Sequence, residues 1–166
     1  MHSARMGSAL KHFPGYGNNA DTHTGMSIDK RPYETFVQED FLPFSAGIEA
    51  GAGAVLVSHN IVECMDASAP ASLSKNVHRI LREELGFAGV IMTDDLYMDA
   101  IKKYTGDREA AVAAVLAGND MLCCTDFEKQ IPAVLEAVQG GIIERRQIAQ
   151  AAERVLIWKI ELGILS

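Results

Sequence analysis

The chain of 166 residues has few basic residues, few cysteines and no long apolar run. Fifteen Lys and Arg against 22 Asp and Glu give it a net charge of −7. This charge argues against nucleic acid and against an anionic membrane surface as partners, because both attract clustered Lys and Arg. No apolar segment reaches the roughly 18 residues of a membrane span, and the first residues lack the apolar core of a signal peptide.

The three cysteines, Cys64, Cys123 and Cys124, form no C-x-x-C pattern and are odd in number. This spacing argues against a disulfide framework, so we expect all three to lie buried as small apolar side chains. Thiols without disulfides suit a reducing compartment, and the expected location is therefore cytoplasmic.

Short apolar runs alternate with longer amphipathic segments along the chain. The runs predict four strands, over residues 8–13, 54–59, 90–93 and 120–124. The amphipathic segments predict helices over residues 33–50, from Ser72 or Ser74 to Leu85, and over 107–117, 127–138 and 144–162; Pro43 is expected to kink or divide the first. Repeated strand–helix units require a mostly parallel sheet with right-handed crossovers, so the predicted fold class is α/β.

Four such units are half of a complete (β/α)8 barrel, which typically needs about 250 residues. Four strand–helix units can form two arrangements. One is an open sheet covered by helices, and the other is an association of two chains that completes a barrel-like ring. An apolar sheet edge left bare would favour association, because unpaired strand edges attract further strands.

Asp94 directly follows the third apolar run, in the order Thr93, Asp94, Asp95. Side chains at the carboxyl ends of parallel strands converge on one rim, where α/β folds place their sites. A carboxylate there can attack an anomeric carbon, but it can also cap a helix or pair with a cation. Asp95 competes for the same role. Since adjacent residues of a strand point in opposite directions, we expect one of the two to face the centre.

Asp21 and His23 form a second candidate, separated by one residue in the polar loop after the first strand. In a tight turn the carboxylate can hold one imidazole nitrogen and set its tautomer. The other nitrogen can then give and take a proton near neutral pH. The alternative is an Asx-turn with a histidine on the surface.

Lys11 and His12 end the first strand, and His59 ends the second. Lys11 can bind sugar hydroxyls or remain at an exposed strand end. His59 either lines the same rim as a further substrate contact or satisfies the core. His12, His23 and His59 are nominal metal ligands, but they lack the spacing of a metal site, and we expect no metal.

Several of these segments together resemble glycoside hydrolase family 3, and specifically its bacterial β-N-acetylglucosaminidase branch. The likeness lies in residues 11–17 (KHFPGYG), 21–23 (DTH) and 93–98 (TDDLYM), with residues 57–59 (VSH) and 117–122 (AGNDML) matching the intervening and following strands. It runs from about Leu10 to the C-terminus. Separated motifs in one order make the resemblance more specific than any single motif.

The resemblance implies a retaining hydrolase on a (β/α)8 barrel, which removes terminal β-linked N-acetylglucosamine from chitooligosaccharides or peptidoglycan fragments. It implies that Asp94 is the nucleophile of a glycosyl-enzyme intermediate, and that His23 is the general acid/base with Asp21 as its partner. Lys11 and His12 match the substrate-binding pair. The histidine departs from the usual two-carboxylate scheme. The resemblance implies no metal or organic cofactor.

The family's catalytic domain is about twice as long as this chain, and the strands correspond to roughly the last four of its barrel. We therefore interpret residues 1–166 as one partial domain, the C-terminal half of a barrel. An N-terminal half, or a second copy of the chain, would complete it, and the N-terminal half should carry an aspartate and arginines that hold the sugar. Two alternatives stay open: a self-associating half-barrel with little or no activity, and a family 3 β-glucosidase.

Overall fold

The computed structural model describes residues 6–17, 27–105 and 110–166, without the side chain of Lys103. The strands are β1 (Ala9–Phe13), β2 (Ile28–Asp29), β3 (Ala54–Val57), β4 (Ile61–Val62) and β5 (Val90–Thr93). The α-helices are α1 (Tyr33–Thr35), α2 (Phe41–Glu49), α3 (Lys75–Arg79), α4 (Asp99–Thr105), α5 (Ala110–Ala117), α6 (Phe127–Gln139) and α7 (Arg145–Glu161). Strands pair in parallel and helices connect them, which confirms the predicted α/β class.

The main sheet has the order β1-β3-β5, and a separate parallel pair joins β2 to β4. The predicted fourth strand, residues 120–124, is reduced to a single parallel bridge between Met121 and Met92. It goes no further because the next available amide, that of Cys123, donates to the side-chain hydroxyl of Thr93 at 3.1 Å instead of to a strand carbonyl. The short β2–β4 pair has no counterpart among the predicted strands.

The predicted helix over residues 33–50 is one helical stretch of changing pitch. It starts as the single turn α1, widens to a π-helix over Phe36–Asp40 and continues as α2. The change of pitch precedes Pro43, which lies inside α2 without ending it. Proline has no amide hydrogen to donate within a helix, and here the wider π-helical turn comes directly before the turn that contains it.

The predicted helix before Gly86 also begins as an α-helix and widens, from α3 into a π-helix over Ile80–Glu84. Ser74 rather than Ser72 caps it, since the Ser74 hydroxyl accepts from the amide of Val77 at 3.3 Å. The sequence prediction missed α4. The predicted start of the following helix at Asp107 lies outside the described residues, and α5 is described from Ala110.

The two faces of the main sheet have different surroundings. Val55, Val57 and Ile91 face the helices, in a core that also contains Phe13, Phe36, Phe41, Phe44, Val77, Ile80 and Leu81. On the opposite face, Lys11, Leu56 and Met92 lie side by side in register. Lys11 is exposed there, and Leu56 and Met92 are only partly buried. The second face is therefore the less covered one.

The cysteine prediction is wrong. Cys64 and Cys123 are exposed and Cys124 is half-buried. Cys123 and Cys124 follow the Met92–Met121 bridge, where the chain leaves the sheet, so the apolar run ends in a loop instead of in the core. Of the helices in the described ranges, none combines the length and the apolar character needed to cross a bilayer.

Candidate active site

His12 and Asp94 come together at the carboxyl ends of β1 and β5. His12 Nε2 lies 3.8 Å from Asp94 Oδ2, and their side chains are 29% and 22% exposed. Lys11 pairs with Leu56 and Phe13 with Val57, so His12 is the extra residue of a bulge in β1. The Lys11–His12 and Phe13–Pro14 peptide bonds are both cis. The amide of Asp94 donates to the carbonyl of Val57 at 3.3 Å, which continues the ladder of β5 to the rim.

Asp94 and Asp95 have different surroundings. Asp94 accepts the amide of Asp95 on Oδ1 at 2.9 Å and directs Oδ2 toward His12. Asp95 accepts the amides of Tyr97 and Thr125 at 2.9 and 3.1 Å, and its other oxygen accepts the Thr125 hydroxyl. Partial burial opposes ionisation of Asp95, but these hydrogen bonds outweigh it and lower its pKa. Asp95 therefore fastens the loop, and Asp94 faces the rim.

His59 is fully buried, which corresponds to the second of the two positions that the sequence left open for it, a residue of the core. Its Nε2 lies 3.0 Å from the carbonyl oxygen of Asp95, and its Nδ1 lies 2.7 Å from the Ser72 hydroxyl. A carbonyl oxygen only accepts, so Nε2 carries the proton and Ser72 donates to Nδ1. Burial lowers the pKa of His59, although the bond to Asp95 opposes this, and keeps the ring neutral. With both nitrogens engaged inside the fold, His59 supports the backbone next to Asp94 and does not line the rim.

The turn after β1 is also hydrogen-bonded to the residues that follow β3. The Ser58 hydroxyl donates to the carbonyl of Phe13 at 3.0 Å and also lies against the amide oxygen of Asn60. The Asn60 side-chain nitrogen donates to the carbonyl of Gly15 at 3.3 Å. The sequence prediction gave Ser72, Thr125 and Asn60 no role at this site. Their partners His59, Asp95 and Gly15 lie 13, 30 and 45 residues away in sequence, so no local spacing could have identified these contacts.

The remaining predicted site residues divide into two groups. Lys11 lies on the less covered face of the sheet, beside Leu56, and the His12 ring meets Tyr16 edge-on at 5.3 Å between centroids. Asp21 and His23 lie outside the described residues, in the stretch 18–26. Within the described ranges, no three His, Cys, Asp or Glu side chains are grouped as metal ligands.

The model of the N-terminal domain of glycosyl hydrolase family 3 matches residues 1–157. The chain belongs to this family. A beta-hexosaminidase of Xanthomonas oryzae pv. oryzae is 39% identical over 165 residues, which cover 98% of this chain and 47% of that protein. A beta-hexosaminidase of Xanthomonas euvesicatoria pv. vesicatoria is 41% identical over 142 residues, 84% of this chain and 42% of that protein. The chain thus spans about half the length of these relatives.

Solved structures share the fold. A glycoside hydrolase family 3 beta-N-acetylglucosaminidase from Paenibacillus sp. matches 98% of this family 3 chain and 32% of its own, with a TM-score of 0.92 and 35% identity. A beta-glucoside phosphorylase bound to 2FGlc matches 94% of this chain and 30% of its own, with a TM-score of 0.88 and 27% identity. The family resemblance read from the sequence motifs is therefore confirmed.

Proposed function

We propose that the protein containing this chain is a retaining glycosidase that removes terminal β-linked N-acetylglucosamine from chitooligosaccharides or peptidoglycan fragments. The observation that carries this proposal is the orientation of Asp94. Its carboxylate leaves the end of β5 toward the rim and His12, while the neighbouring Asp95 is held by Thr125. A carboxylate presented at a strand end beside a second polar side chain is suited to attack a sugar carbon.

In the proposed reaction, Asp94 forms a bond to the anomeric carbon while the bond from that carbon to the leaving oxygen breaks. Protonated His23 gives its proton to the leaving oxygen. Neutral His23 then takes a proton from water, whose oxygen attacks the same carbon and releases Asp94. Asp21 would hold the imidazole in one tautomer, and Lys11 and His12 would bind sugar hydroxyls. The steps need no metal or organic cofactor.

The active unit would be larger than this chain. We propose that the chain is the C-terminal half of a family 3 barrel and that an N-terminal half covers its open surfaces. Phe127, Ile131 and Leu135 support this, because they lie one turn apart on one face of α6 and are 55%, 56% and 55% exposed. Such a contiguous apolar face on a soluble domain indicates a missing neighbour. Activity of the chain alone would then be weak or absent.

A second candidate substrate is a β-glucoside. It is favoured by the structural similarity to the β-glucoside phosphorylase, whose name assigns it that substrate class. The site would use the same Asp94, and the discrimination would depend on contacts to the 2-position of the sugar. For either substrate we expect a cytoplasmic reaction, because Cys64, Cys123 and Cys124 form no disulfide with one another.

Chromogenic β-N-acetylglucosaminide and β-glucoside test the proposal. Each is offered to the chain alone and to the chain joined to the N-terminal half of the Xanthomonas oryzae relative's domain. We expect the joined protein to cleave the N-acetylglucosaminide and Asp94→Asn to abolish cleavage, whereas the exposed neighbour Asp99 serves as a control through Asp99→Asn. A folded joined protein that cleaves neither substrate, or an active Asp94→Asn variant, would contradict the proposal. If the chain alone is active and sediments as a dimer, a second copy of the chain, and not an N-terminal half, completes the active unit.

A further inference from the structure

Arg31 binds two aspartates at once, below the turn that follows β1. Its Nε lies 3.1 and 3.0 Å from the two carboxylate oxygens of Asp29, and Nη2 adds a bond of 2.8 Å to the same carboxylate. Its Nη1 and Nη2 also donate to Asp40 at 2.8 and 3.2 Å. The guanidinium lies 4.3 Å above the ring centre of Phe36. A planar fork that reaches two carboxylates and an aromatic face is a geometry that only arginine provides.

The Asp29–Arg31–Asp40 cluster contacts the chain on the N-terminal side of residues 18–26. A Cβ built on Gly17 would lie 2.7 Å from Arg31 Cζ, and one built on Gly15 would lie 2.7 Å from Asp40 Cγ. Both glycines have positive φ, +51° and +126°. The backbone before residue 18 therefore rests directly on the ion cluster, at a distance that no side chain allows.

The same cluster fixes the chain on the C-terminal side of residues 18–26. Asp29 belongs to β2, whose pairing with β4 is extended by a hydrogen bond from the amide of Ile61 to the carbonyl of Ser27 at 2.8 Å. The amide of Arg31 donates to Asp29 Oδ1 at 2.9 Å. Thus Gly17, before residues 18–26, lies against the guanidinium of Arg31, and Asp29, two residues after Ser27, is bound by the same guanidinium.

Burial of Asp29 and the charge of Arg31 both keep the ion pairs of the cluster intact. The Asp29 side chain is only 1% exposed, and a buried carboxylate is costly without its partner. Hydrogen bonds to Asp29, which have the larger effect, and to Asp40 raise the pKa of Arg31 further above its usual range. The guanidinium therefore stays charged at every pH at which the protein folds.

We propose that Arg31 is a positioning residue for the general acid. Through Asp29, Asp40 and Gly17 it fixes the backbone on both sides of residues 18–26, the part of the sequence to which Asp21 and His23 belong. The roles of Asp21 and His23 rest on the function proposed above. The anchoring of the two ends rests on the contacts of described residues alone. It can therefore be tested on the chain without any activity.

Hydrogen exchange of the 166-residue chain, followed by mass spectrometry, tests the anchoring. Arg31→Lys keeps the charge but loses the fork, and Gly17→Ala keeps every charge but inserts a methyl group against the guanidinium. Gly86→Ala is the matched control, because Gly86 also has a positive φ, +67°, with no atom within 4 Å of the added Cβ. All three variants are compared with the unaltered chain.

We expect Arg31→Lys and Gly17→Ala to raise exchange at least about tenfold in residues 15–17 and 27–31 together, with β3 unchanged. Gly86→Ala should leave both ends as they are. Exchange that rises at one end only, that stays unchanged in Gly17→Ala, or that rises as much in Gly86→Ala would overturn the anchoring. If Arg31→Lys unfolds the whole chain, the result for Gly17→Ala alone decides whether the anchoring is correct.

The dependence of kcat/KM on the leaving group, measured in the joined protein, tests whether Arg31 positions the general acid. A dinitrophenyl glycoside departs without a proton, whereas an alkyl glycoside needs the general acid. Arg31→Lys and Gly17→Ala should lower kcat/KM about tenfold more for the alkyl than for the dinitrophenyl substrate, and Gly86→Ala should not. Equal losses on both substrates would overturn the positioning role even if the exchange result holds. A joined protein that is inactive before mutation contradicts the proposed function and leaves the exchange result to decide the anchoring.

Discussion

The two ends of the main sheet carry ion clusters of opposite composition. At the carboxyl ends of the strands, one guanidinium, Arg31, lies between two carboxylates. At the amino ends, one carboxylate, Asp120, lies between two guanidinium groups, Arg82 and Arg154. Each cluster has a nearly inaccessible carboxylate, since the side chains of Asp29 and Asp120 are 1% and 2% exposed.

The difference lies in what each cluster holds. Asp120 also accepts the amide of Ile91 at 2.8 Å, Arg82 donates to the carbonyls of Phe87 and Gly89, and Arg154 comes from α7. The amino-end cluster therefore fastens a helix to β5 and adds stability. The carboxyl-end cluster supports backbone that leads to the rim. Barrel folds separate function and stability in the same way, between the two ends of their strands.

The largest expected effect contrasts one carboxylate from each end. In the joined protein, Asp94→Asn should lower kcat on the N-acetylglucosaminide by on the order of 10⁴-fold without lowering the melting temperature. Asp120→Asn should instead lower the free energy of unfolding by about 1–3 kcal/mol, because two cations lose a charged acceptor. Its folded fraction should remain active. Comparable activity losses in the two variants would remove the functional distinction between the ends.

The next effect compares the two clusters by stability alone. Arg31→Met removes the cation that both Asp29 and Asp40 bind, and should cost about 3–5 kcal/mol in urea unfolding of the chain. Arg154→Met leaves Asp120 paired with Arg82, so it should cost about 1 kcal/mol or less. Equal costs would show that the number of partners does not decide the stability of these clusters.

The sequence predicted the parts of this site that depend on order along the chain. Alternating strands and helices placed Lys11, His12 and Asp94 at strand ends, and the strand-end geometry brought His12 and Asp94 together. The contacts that support the site depend on residues brought together from distant positions. Asp95 meets Thr125 thirty residues away, and no periodicity carries that information.

His59 shows why polarity alone does not decide such a position. It follows an apolar strand in the same manner as Asp94, and this order allows either a residue of the rim or one of the core. The structure turns it inward, because Ser72 and the carbonyl of Asp95 offer both of its nitrogens a partner. The fourth strand was overpredicted for a related reason. An apolar run does not reveal that the Thr93 hydroxyl takes the amide of Cys123.

Two buried histidines extend the comparison to pH. His59 lies under the rim and His78 in α3, and burial lowers the pKa of each. A lowered pKa means that the unfolded chain binds more protons below about pH 6.5, so stability falls as the pH drops, by up to about 1.4 kcal/mol per pH unit for each histidine. His59→Gln and His78→Gln should each reduce the pH dependence of the free energy of unfolding, measured in urea between pH 5 and 7, by the contribution of the histidine that is replaced. An unchanged slope in either variant would mean that its histidine is protonated in the fold.

The smallest effect concerns Asp95. Its lowered pKa contributes stability that is complete above its unfolded pKa of about 3.9 and is lost as the pH falls through the folded value. Thr125→Val removes the hydroxyl that holds this carboxylate, so the variant should be less stable by under about 1 kcal/mol at pH 6. The difference should shrink as the pH falls through the lowered pKa of Asp95 in the folded protein, below which Asp95 is neutral in both proteins. Thr105→Val, which removes a hydroxyl bonded to the carbonyl of Ile101, serves as the control and should show a loss that does not vary with pH. If the Thr125→Val loss were equally independent of pH, the hydroxyl would be holding the loop without favouring the ionised carboxylate.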